Sequence, residues 1–184
     1  MLKRNDLGKF YQEHYLTGVG AEIGCLRGWF SMFLLTVYKG KIILVDSFDE
    51  HEKISYDKAS APVSKSSEIE KECRANMKGK NCEVIKGYSV EVAKTIPNES
   101  LDWVYIDADH RYEAVRDDLR AWFPKVRKGG VMSGHDYINF STTFPSGEYT
   151  YGVKQAVKEF CAEYGYKLAG LLDKRKFPSW YFIK

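Results

Sequence analysis

The sequence lacks several features that would set it apart from an ordinary globular protein. Its four cysteines, Cys25, Cys73, Cys82 and Cys161, stand far apart without a C-x-x-C pair, which argues against a zinc site and favours reduced thiols. No apolar run approaches the roughly 18 residues of a membrane span. The first residues also lack the apolar segment of a signal peptide. We therefore expect a soluble, cytoplasmic protein that does not contact a membrane.

A strong excess of positive charge is missing as well. The chain carries 28 lysines and arginines against 25 acidic residues, a formal net charge of +3, and the basic residues are spread along its length. It has no dense basic stripe and no N/D-P-P-Y/F signature, and both absences argue against a nucleic-acid partner. With 184 residues, no linker and no internal repeat, residues 1–184 are expected to form a single domain.

Strand-like and helix-like segments alternate along most of the chain. Apolar strands are predicted at VGAEIG, KIILVDS, CEVIKG, LDWVYID and GVMSGHDY, with helical segments between them. The last two strands, YKLAGLL and SWYFIK, follow each other without a helix and predict a hairpin. This pattern predicts an α/β fold in which a mostly parallel sheet has helices on both faces and one antiparallel strand at its end.

Other segments carry expectations of their own. Residues 1–18 contain a predicted helix near Leu7 to Leu16, and the run WFSMFLLTVY predicts a helix that is apolar on most faces and therefore buried. A further helix carries an apolar stripe from Tyr112 to Val126 and ends at the glycines of RKGG. Residues 50–66 and 138–151 have no clear period and are interpreted as lid or acceptor loops. Their aromatic residues would cover a ligand or pack against a partner subunit: Tyr56, Phe140, Phe144, Tyr149 and Tyr151.

Polar residues collect at the carboxyl ends of five predicted strands. In a doubly wound sheet, ligands bind beyond these ends. The residues concerned are Glu22 and Gly24, Asp46, Gly87 to Ser89, Asp107 to His110, and His135 to Tyr137.

The turn after the first strand, EIGCLRG, has the form E-x-G-x-x-x-G rather than the G-x-G-x-x-G of a pyrophosphate site. Glycines in such a turn allow a ligand to approach bare backbone. Asp46 follows Gly24 by 22 residues, where an acid can accept hydrogen bonds from ribose hydroxyls. The pattern indicates an adenosine-type ligand, although Gly24 and Gly28 could also only form a turn.

Four blocks of the sequence resemble the successive motifs of class I S-adenosylmethionine-dependent methyltransferases. They are AEIGCLRGWFS, ILVDSFD, IKGYS and YIDADHRYEAVRDDLRAWFPKVRKGGVMSGHDY. The last block is similar to a small branch, methyltransferase domain 24, that includes sugar O-methyltransferases of antibiotic pathways. The resemblance implies a Rossmann-like three-layer sandwich with a seven-stranded sheet of order 3-2-1-4-5-7-6, whose last strand is antiparallel.

The resemblance also implies a cofactor site for S-adenosylmethionine. Glu22, Gly24 and Gly28 would line its methionine end, and Asp46 would bind the ribose hydroxyls. Further contacts of the adenine pocket would come from Ser47, Phe48, Gly87, Tyr88 and Ser89.

A divalent metal, Mg²⁺ or Mn²⁺, is a second implication of the resemblance. In metal-dependent members, an acid at the position of Asp107 and two adjacent residues after the fifth strand bind the ion. Here those two residues are His135 and Asp136, and the histidine departs from the usual carboxylate. Mg²⁺ prefers oxygen ligands, so Mn²⁺ would tolerate this set better. Without a metal, Asp107 would accept hydrogen bonds from the acceptor or from the cofactor's amino group.

Three residues are candidates for catalysis: His110, Asp107 and His135. His110 stands where related sugar methyltransferases have a base, and an unperturbed imidazole suits proton removal at cellular pH. A histidine at a helix start can equally be a surface residue. Asp109 is most simply the N-cap of the helix that begins near Arg111.

The expected activity is O-methylation of a small hydroxylated acceptor, such as a sugar or a related metabolite. Two alternatives from other classes stay open: a nicotinamide-dependent oxidoreductase and a non-catalytic cofactor-binding protein. Because the expected loops are short, a second copy of the chain in a homodimer could complete the pocket.

Overall fold

The computed structural model describes residues 4–49, 66–144, 147–168, 170–171 and 177–184. The proposed lid over 50–66, with Tyr56, therefore lies almost entirely outside the described residues. The helices are α1 (Leu7–Glu13), α2 (Trp29–Leu34), α3 (Ser66–Met77), α4 (Ser89–Thr95), α5 (Tyr112–Trp122) and α6 (Val153–Tyr164). The strands are β1 (Val19–Ile23), β2 (Lys41–Asp46), β3 (Cys82–Lys86), β4 (Leu101–Ile106), β5 (Val126–Gly134), β6 (Phe140–Phe144), β7 (Gly147–Tyr151), β8 (Gly170–Leu171) and β9 (Trp180–Ile183).

Seven strands form the main sheet in the order β3-β2-β1-β4-β5-β9-β8. Strands β1 to β5 pair in parallel, and β9 is antiparallel to both of its neighbours. Counting only the strands of this sheet, β8 and β9 are the sixth and seventh, so the order 3-2-1-4-5-7-6 and the antiparallel last strand are confirmed. The carboxyl ends of the five parallel strands consequently lie along one edge of the sheet.

The sheet is covered on both faces, which explains why β4 is buried along its whole length. Its side chains alternate between two apolar clusters, as the pleat of a strand requires. Trp103 and Tyr105 pack with residues of α1, α2 and α3, whereas Val104 and Ile106 pack with residues of α4, α5 and α6. Among the described helices, none has the length and apolar character needed to cross a bilayer.

The expectation that the helix in WFSMFLLTVY is buried is wrong. Only six residues of this run form α2, and the side chains of Trp29 and Phe33 are 55% and 41% exposed. Ser31 and Leu34 occupy the buried face instead. Since so short a helix offers less than two turns to the sheet, two of its three aromatic residues face outward.

The helix predicted to run to Val126 ends earlier, at Trp122. Pro124 follows in a short 3-10 turn, Phe123–Lys125, and proline has no N–H with which to continue the helical ladder. Val126 is already the first residue of β5, where it is buried. Its place in the apolar stripe was therefore coincidental.

Residues 138–151 do not form an irregular loop. Most of them form an antiparallel hairpin, β6 with β7, which is a separate two-stranded sheet. Tyr149 and Tyr151 are buried on one face, while Ser141 and Thr150 are exposed and hydrogen-bonded to each other. Threonine and tyrosine favour strands when they alternate across a half-buried surface. Their occurrence beside serine and asparagine had favoured a loop.

Candidate functional site

The carboxyl ends of five strands are joined to one another by backbone hydrogen bonds. Each bond runs from a residue just past one strand to the end of the adjacent strand. The bonds are Gly87 N to Asp46 O (2.9 Å), Gly24 N to Val45 O (2.8 Å), Asp107 N to Ile23 O (2.8 Å) and His135 N to Ile106 O (3.0 Å). The predicted site residues of these segments are thus neighbours along one rim.

Gly24 lets the turn after β1 pack directly against the end of β4. Its φ is +86°, and a Cβ at this position would lie 2.3 Å from the carbonyl oxygen of Asp107 and 2.6 Å from Cα of Ala108. Real Cβ atoms do not approach backbone so closely. Only glycine therefore fits between the predicted cofactor turn and the predicted catalytic segment.

The Asp46 carboxylate binds the backbone of the turns that follow β1 and β2. Its Oδ2 accepts the N–H of Leu26 at 2.7 Å and its Oδ1 accepts the N–H of Phe48 at 2.8 Å. Leu26 and Phe48 both have left-handed φ values, 47° and 50°, a conformation that costs free energy for such residues. A carboxylate can accept about four hydrogen bonds, so Asp46 keeps capacity for the two hydroxyls of a ribose.

Glu22 is enclosed, with only 1% of its surface exposed. The Ser31 hydroxyl donates a short hydrogen bond to its carboxylate. Burial raises the pKa of Glu22 to about 8, and this exceeds the opposing effects of the Ser31 hydrogen bond and the charge of Arg4. The acid is consequently neutral over most of the physiological range, in a place where a bound cation would favour its ionised form.

The adenine-side candidates have different surroundings. Phe48 is buried in the cluster that contains α3, and Ser47 accepts the N–H of Asp49 at 3.2 Å. Tyr88 is 66% exposed, and a hydrogen bond to Asp49 raises the pKa of its phenol. Gly87 lies between β3 and α4 and reaches the rim through its N–H.

Ser89 belongs to a buried polar network between α4 and α5. Its hydroxyl donates a short hydrogen bond to Asp118 and accepts one from Trp122 Nε1 at 2.8 Å. Burial raises the pKa of Asp118 to about 7 against the effect of the Ser89 hydrogen bond. Both hydrogen-bonding roles of the hydroxyl are therefore used inside the protein. No local sequence pattern indicated this network.

His110 and two carboxylates form a compact cluster at the carboxyl ends of β4 and β5. His110 Nε2 lies 3.3 Å from Asp107 Oδ1 and 3.1 Å from Asp136 Oδ2. Burial lowers the pKa of His110, but the hydrogen bond and charge of Asp107 and the charge of Asp136 raise it overall. For Asp107 the effect of burial is the opposite, because it raises the pKa of the carboxyl group. Arg4 and the two histidines nevertheless bring this pKa down to about 2.

The same groups fit a divalent cation in the donors they offer. Asp107, His110 and Asp136 each present one ligand atom, and these atoms all lie within 4.8 Å of one another. His135 Nδ1 is 2.7 Å from Asp136 Oδ1 but 3.8 Å from Asp107 Oδ1. Of the predicted set, Asp107 and Asp136 belong to the compact group, and His110 rather than His135 completes it. Two carboxylates and an imidazole suit Mn²⁺ better than Mg²⁺.

Asp109 is not the N-cap of α5. The helix begins at Tyr112 with Arg111 as its N-cap residue, and Asp109 Oδ1 accepts the Arg111 N–H at 3.0 Å. An aspartate that bonds the N–H two residues later forms an Asx turn. This turn also contacts the hairpin β6–β7, because the Tyr149 hydroxyl donates to Asp109 Oδ1 at 3.1 Å.

Three further contacts were not foreseen. The Tyr149 hydroxyl accepts the backbone N–H of His110 at 3.0 Å. The ring of Tyr151 stacks on the His110 imidazole, with centroids 5.3 Å apart and planes 22° apart. Arg4, which precedes α1, donates to Asp107 Oδ2 at 2.5 Å. These contacts join residues about 40 and 100 positions apart, for which periodicity carries no signal.

Residues 21–137 match the profile of a methyltransferase domain family. The matched segment is more than half of the chain and runs from the third residue of β1 to beyond the carboxyl end of β5. The chain belongs to this methyltransferase domain family.

Individual proteins are similar to this chain in sequence or in fold. An uncharacterized protein of Acanthamoeba polyphaga mimivirus is 36% identical over 70 residues, 35% of this chain and 31% of that protein, so the match spans about a third of that relative. The O-methyltransferase NovP is similar in structure, with 21% identity, a TM-score of 0.67, and coverage of 98% of this chain and 77% of NovP. The O-methyltransferase TomG from Streptomyces achromogenes, solved with S-adenosylmethionine, has 11% identity, a TM-score of 0.64, and coverage of 98% and 79%. The resemblance inferred from the motifs is confirmed.

Proposed function

We propose that this protein transfers the methyl group of S-adenosylmethionine to a hydroxyl oxygen of a small acceptor, such as a sugar or a related metabolite. The observation that carries the proposal is the placement of Gly24, Asp46 and Asp107 at adjacent strand ends. All three belong to the segment that matches the methyltransferase family. The names of the similar solved structures, NovP and TomG, support O-methylation.

The cofactor half of the site consists of the turns after β1, β2 and β3. Glu22, Gly24 and Gly28 line the methionine end in this proposal, and Asp46 binds the ribose hydroxyls with its remaining acceptor capacity. The adenine pocket is bordered by Ser47, Phe48, Gly87, Tyr88 and Ser89. S-adenosylmethionine, when bound, supplies a methyl carbon that is already electrophilic.

The chain's own contribution is mainly to position the acceptor oxygen and keep it dry. Holding two reacting groups in line can supply on the order of 7–11 kcal/mol. The acceptor's proton passes to the imidazole of His110 in this proposal, and Asp107 and Asp136, which face Nε2, stabilise the imidazolium that forms. A positioned base adds a factor of about 10²–10⁴. His135 is the third candidate because its Nδ1 faces both carboxylates.

A divalent cation, Mn²⁺ or Mg²⁺, is the alternative to a site that works without a metal. Asp107 and Asp136, together with His110 or His135, would hold it. Its chemistry there would be to lower the pKa of the acceptor hydroxyl.

The acceptor half is bordered by the hairpin β6–β7. Tyr151 packs against His110, and Phe140 and Phe177 pack against Tyr151. Aromatic faces of this kind suit the apolar face of a sugar ring.

The proposal has further parts: a small-molecule acceptor, a single domain over residues 1–184, a homodimer and a reducing cytoplasmic location. The location is supported by four free thiols.

Calorimetric titration tests the cofactor assignment directly. We expect S-adenosylhomocysteine to bind with a micromolar Kd and NAD⁺ to show no binding. Asp46→Asn should weaken the binding of S-adenosylhomocysteine by at least about tenfold, the loss of one charge-assisted hydrogen bond. The matched control is Asp117→Asn, which removes the same charge at an exposed position of α5. Binding of NAD⁺ instead would favour the oxidoreductase alternative.

Methyl transfer itself needs a separate assay. Labelled S-adenosylmethionine is incubated with the protein and a panel of sugars and other hydroxylated metabolites, and acid-stable label in the acceptor is counted. Transfer is expected to depend on His110, so that His110→Gln lowers turnover while the affinity for S-adenosylhomocysteine is nearly unchanged. Cofactor binding without transfer to any acceptor would favour the non-catalytic alternative.

A further inference from the structure

Arg4 lies inside the site although it comes from the N-terminal end of the chain. It belongs to the turn Arg4–Asp6 before α1, and its side chain is 27% exposed. One terminal nitrogen donates to Asp107 Oδ2 at 2.5 Å. The other oxygen of the same carboxylate, Oδ1, faces His110. The tip of β4 is therefore bound from both sides by groups of the chain.

The guanidinium of Arg4 is fixed by two aromatic rings. Its central carbon lies 4.3 Å from the ring centroid of Phe30, in α2, and 5.4 Å from that of Tyr105, in β4. Cations bind favourably over the faces of such rings within about 6 Å. Arg4 thus connects the N-terminal turn, the helix after the cofactor turn and the strand that carries Asp107.

The chain itself neutralises one of the two carboxylates at the rim. Asp107 and Asp136 carry the negative charge that a divalent cation would neutralise. Arg4 pairs with Asp107 and is close enough to contribute to the electrostatics of Asp136 and Glu22 as well. The positive charge of a guanidinium is permanent, because the group does not lose its proton in proteins.

We propose that Arg4 is the resident cation of this site: it positions Asp107 and takes the place in the charge balance that a divalent metal would otherwise fill. The inference deepens the proposed function and rests on it for the statement that this rim is the acceptor side. A metal that binds Asp107 must share its carboxylate with Arg4 and is repelled by the guanidinium. Arg4 therefore makes the affinity of this site for divalent cations low.

Binding of Mn²⁺, followed by electron paramagnetic resonance of the free ion, tests the proposal without reference to activity. The wild-type protein is expected to bind Mn²⁺ at the rim with only a millimolar Kd. Arg4→Gln should lower this Kd at least about tenfold, because a unit charge a few ångströms away is removed. Arg4→Lys keeps the charge and should bind Mn²⁺ as weakly as the wild type.

Arg127→Gln is the matched control. Arg127 pairs with Asp102 through Nε at 2.6 Å, and Asp102 is at the opposite, amino-terminal end of β4. This variant removes the same charge and a similar ion pair but leaves the rim intact, so its Mn²⁺ affinity should equal that of the wild type. If Arg127→Gln and Arg4→Gln gained Mn²⁺ affinity equally, the change in net charge alone would explain the effect. That result would overturn the proposal.

Two other results would also overturn it: micromolar Mn²⁺ binding by the wild type, or equal Mn²⁺ affinities in Arg4→Gln and Arg4→Lys. Circular dichroism verifies that each variant is folded, and Asp107→Asn in the Arg4→Gln background should abolish the gained Mn²⁺ binding. Titration with S-adenosylhomocysteine is performed on the same samples. Failure of the wild-type protein to bind S-adenosylhomocysteine would refute the proposed function. The Mn²⁺ affinities of the variants test the role of Arg4 independently of that result.

Discussion

His110 is held between Asp107 and Asp136, two carboxylates that follow different strands. Its Nε2 is within 3.3 Å of an oxygen of each, and its ring is covered by Tyr151. It is therefore not a surface histidine at a helix start, the alternative that the sequence allowed. Nε2 thus faces two hydrogen-bond acceptors, and these carboxylates raise the pKa of the ring because they favour its protonated form.

The hairpin contact predicts a role for the Tyr149 hydroxyl. Tyr149→Phe removes the acceptor of the His110 N–H and one donor to Asp109, which should cost about 1–3 kcal/mol in the free energy of unfolding. Turnover should fall several-fold while the affinity for S-adenosylhomocysteine is unchanged. Urea denaturation and calorimetry measure the two quantities. Tyr164→Phe, at a ring that is 45% exposed, is the control and should change neither.

The buried acid of β1 predicts a specific pH dependence of stability. The folded-state pKa of Glu22, about 8, is above its ordinary value of 4.5. Its contribution is therefore fully present below about pH 4.5 and is lost as the pH rises through 8. Glu22→Gln keeps a neutral acceptor for Ser31, so the variant should gain in Tm relative to the wild type across this window, by about 2–4 °C per kcal/mol. Parallel Tm curves for the two proteins would contradict the raised pKa.

Two glycines with positive φ should respond differently to alanine. Gly79 has a φ of +74° and nothing within 4 Å of an added Cβ, whereas the Cβ of Gly24→Ala would meet the backbone of Asp107. Gly79→Ala should cost about 1–2 kcal/mol, the price of the left-handed conformation alone. Gly24→Ala should cost clearly more in urea denaturation, because the turn must move away from β4. Equal losses would show that the two strand ends are not in close contact.

The polar network between α4 and α5 predicts that Ser89 stabilises the fold. Ser89→Ala leaves Trp122 Nε1 without its acceptor and Asp118 without its donor, and each buried unpaired group costs about 1–3 kcal/mol. Ser100→Ala is the control, because that hydroxyl only donates to the Pro97 carbonyl at an exposed position. Thermal unfolding of both variants should give a much larger loss for Ser89→Ala, and similar losses would contradict the network.

The sheet could be predicted from the sequence because each of its central strands is an apolar run that is buried on both faces. The residues at its carboxyl end could be predicted for the same reason, since parallel strands bring their ends to one edge. Asp107 and Asp136 are separated by 29 positions, yet the order of β4 and β5 was enough to make them neighbours.

The contacts that join the rim to the rest of the chain could not be predicted in this way. Arg4 reaches Asp107 across 103 positions, and its sequence neighbourhood, LKRND, resembles any solvated helix start. The tyrosines of β7 approach His110 only because residues 140–151 fold as a hairpin, and serine and threonine there had favoured a loop. Side chains that act over such separations depend on the completed tertiary structure rather than on local pattern.

The hairpin β6–β7 pairs only within itself and is not a strand of the seven-stranded sheet. Exchanging it would leave the register of β5 and β9 untouched, since those strands bond each other directly. Replacing this hairpin is therefore expected to change the acceptor preference of the proposed activity without altering the order of the seven strands.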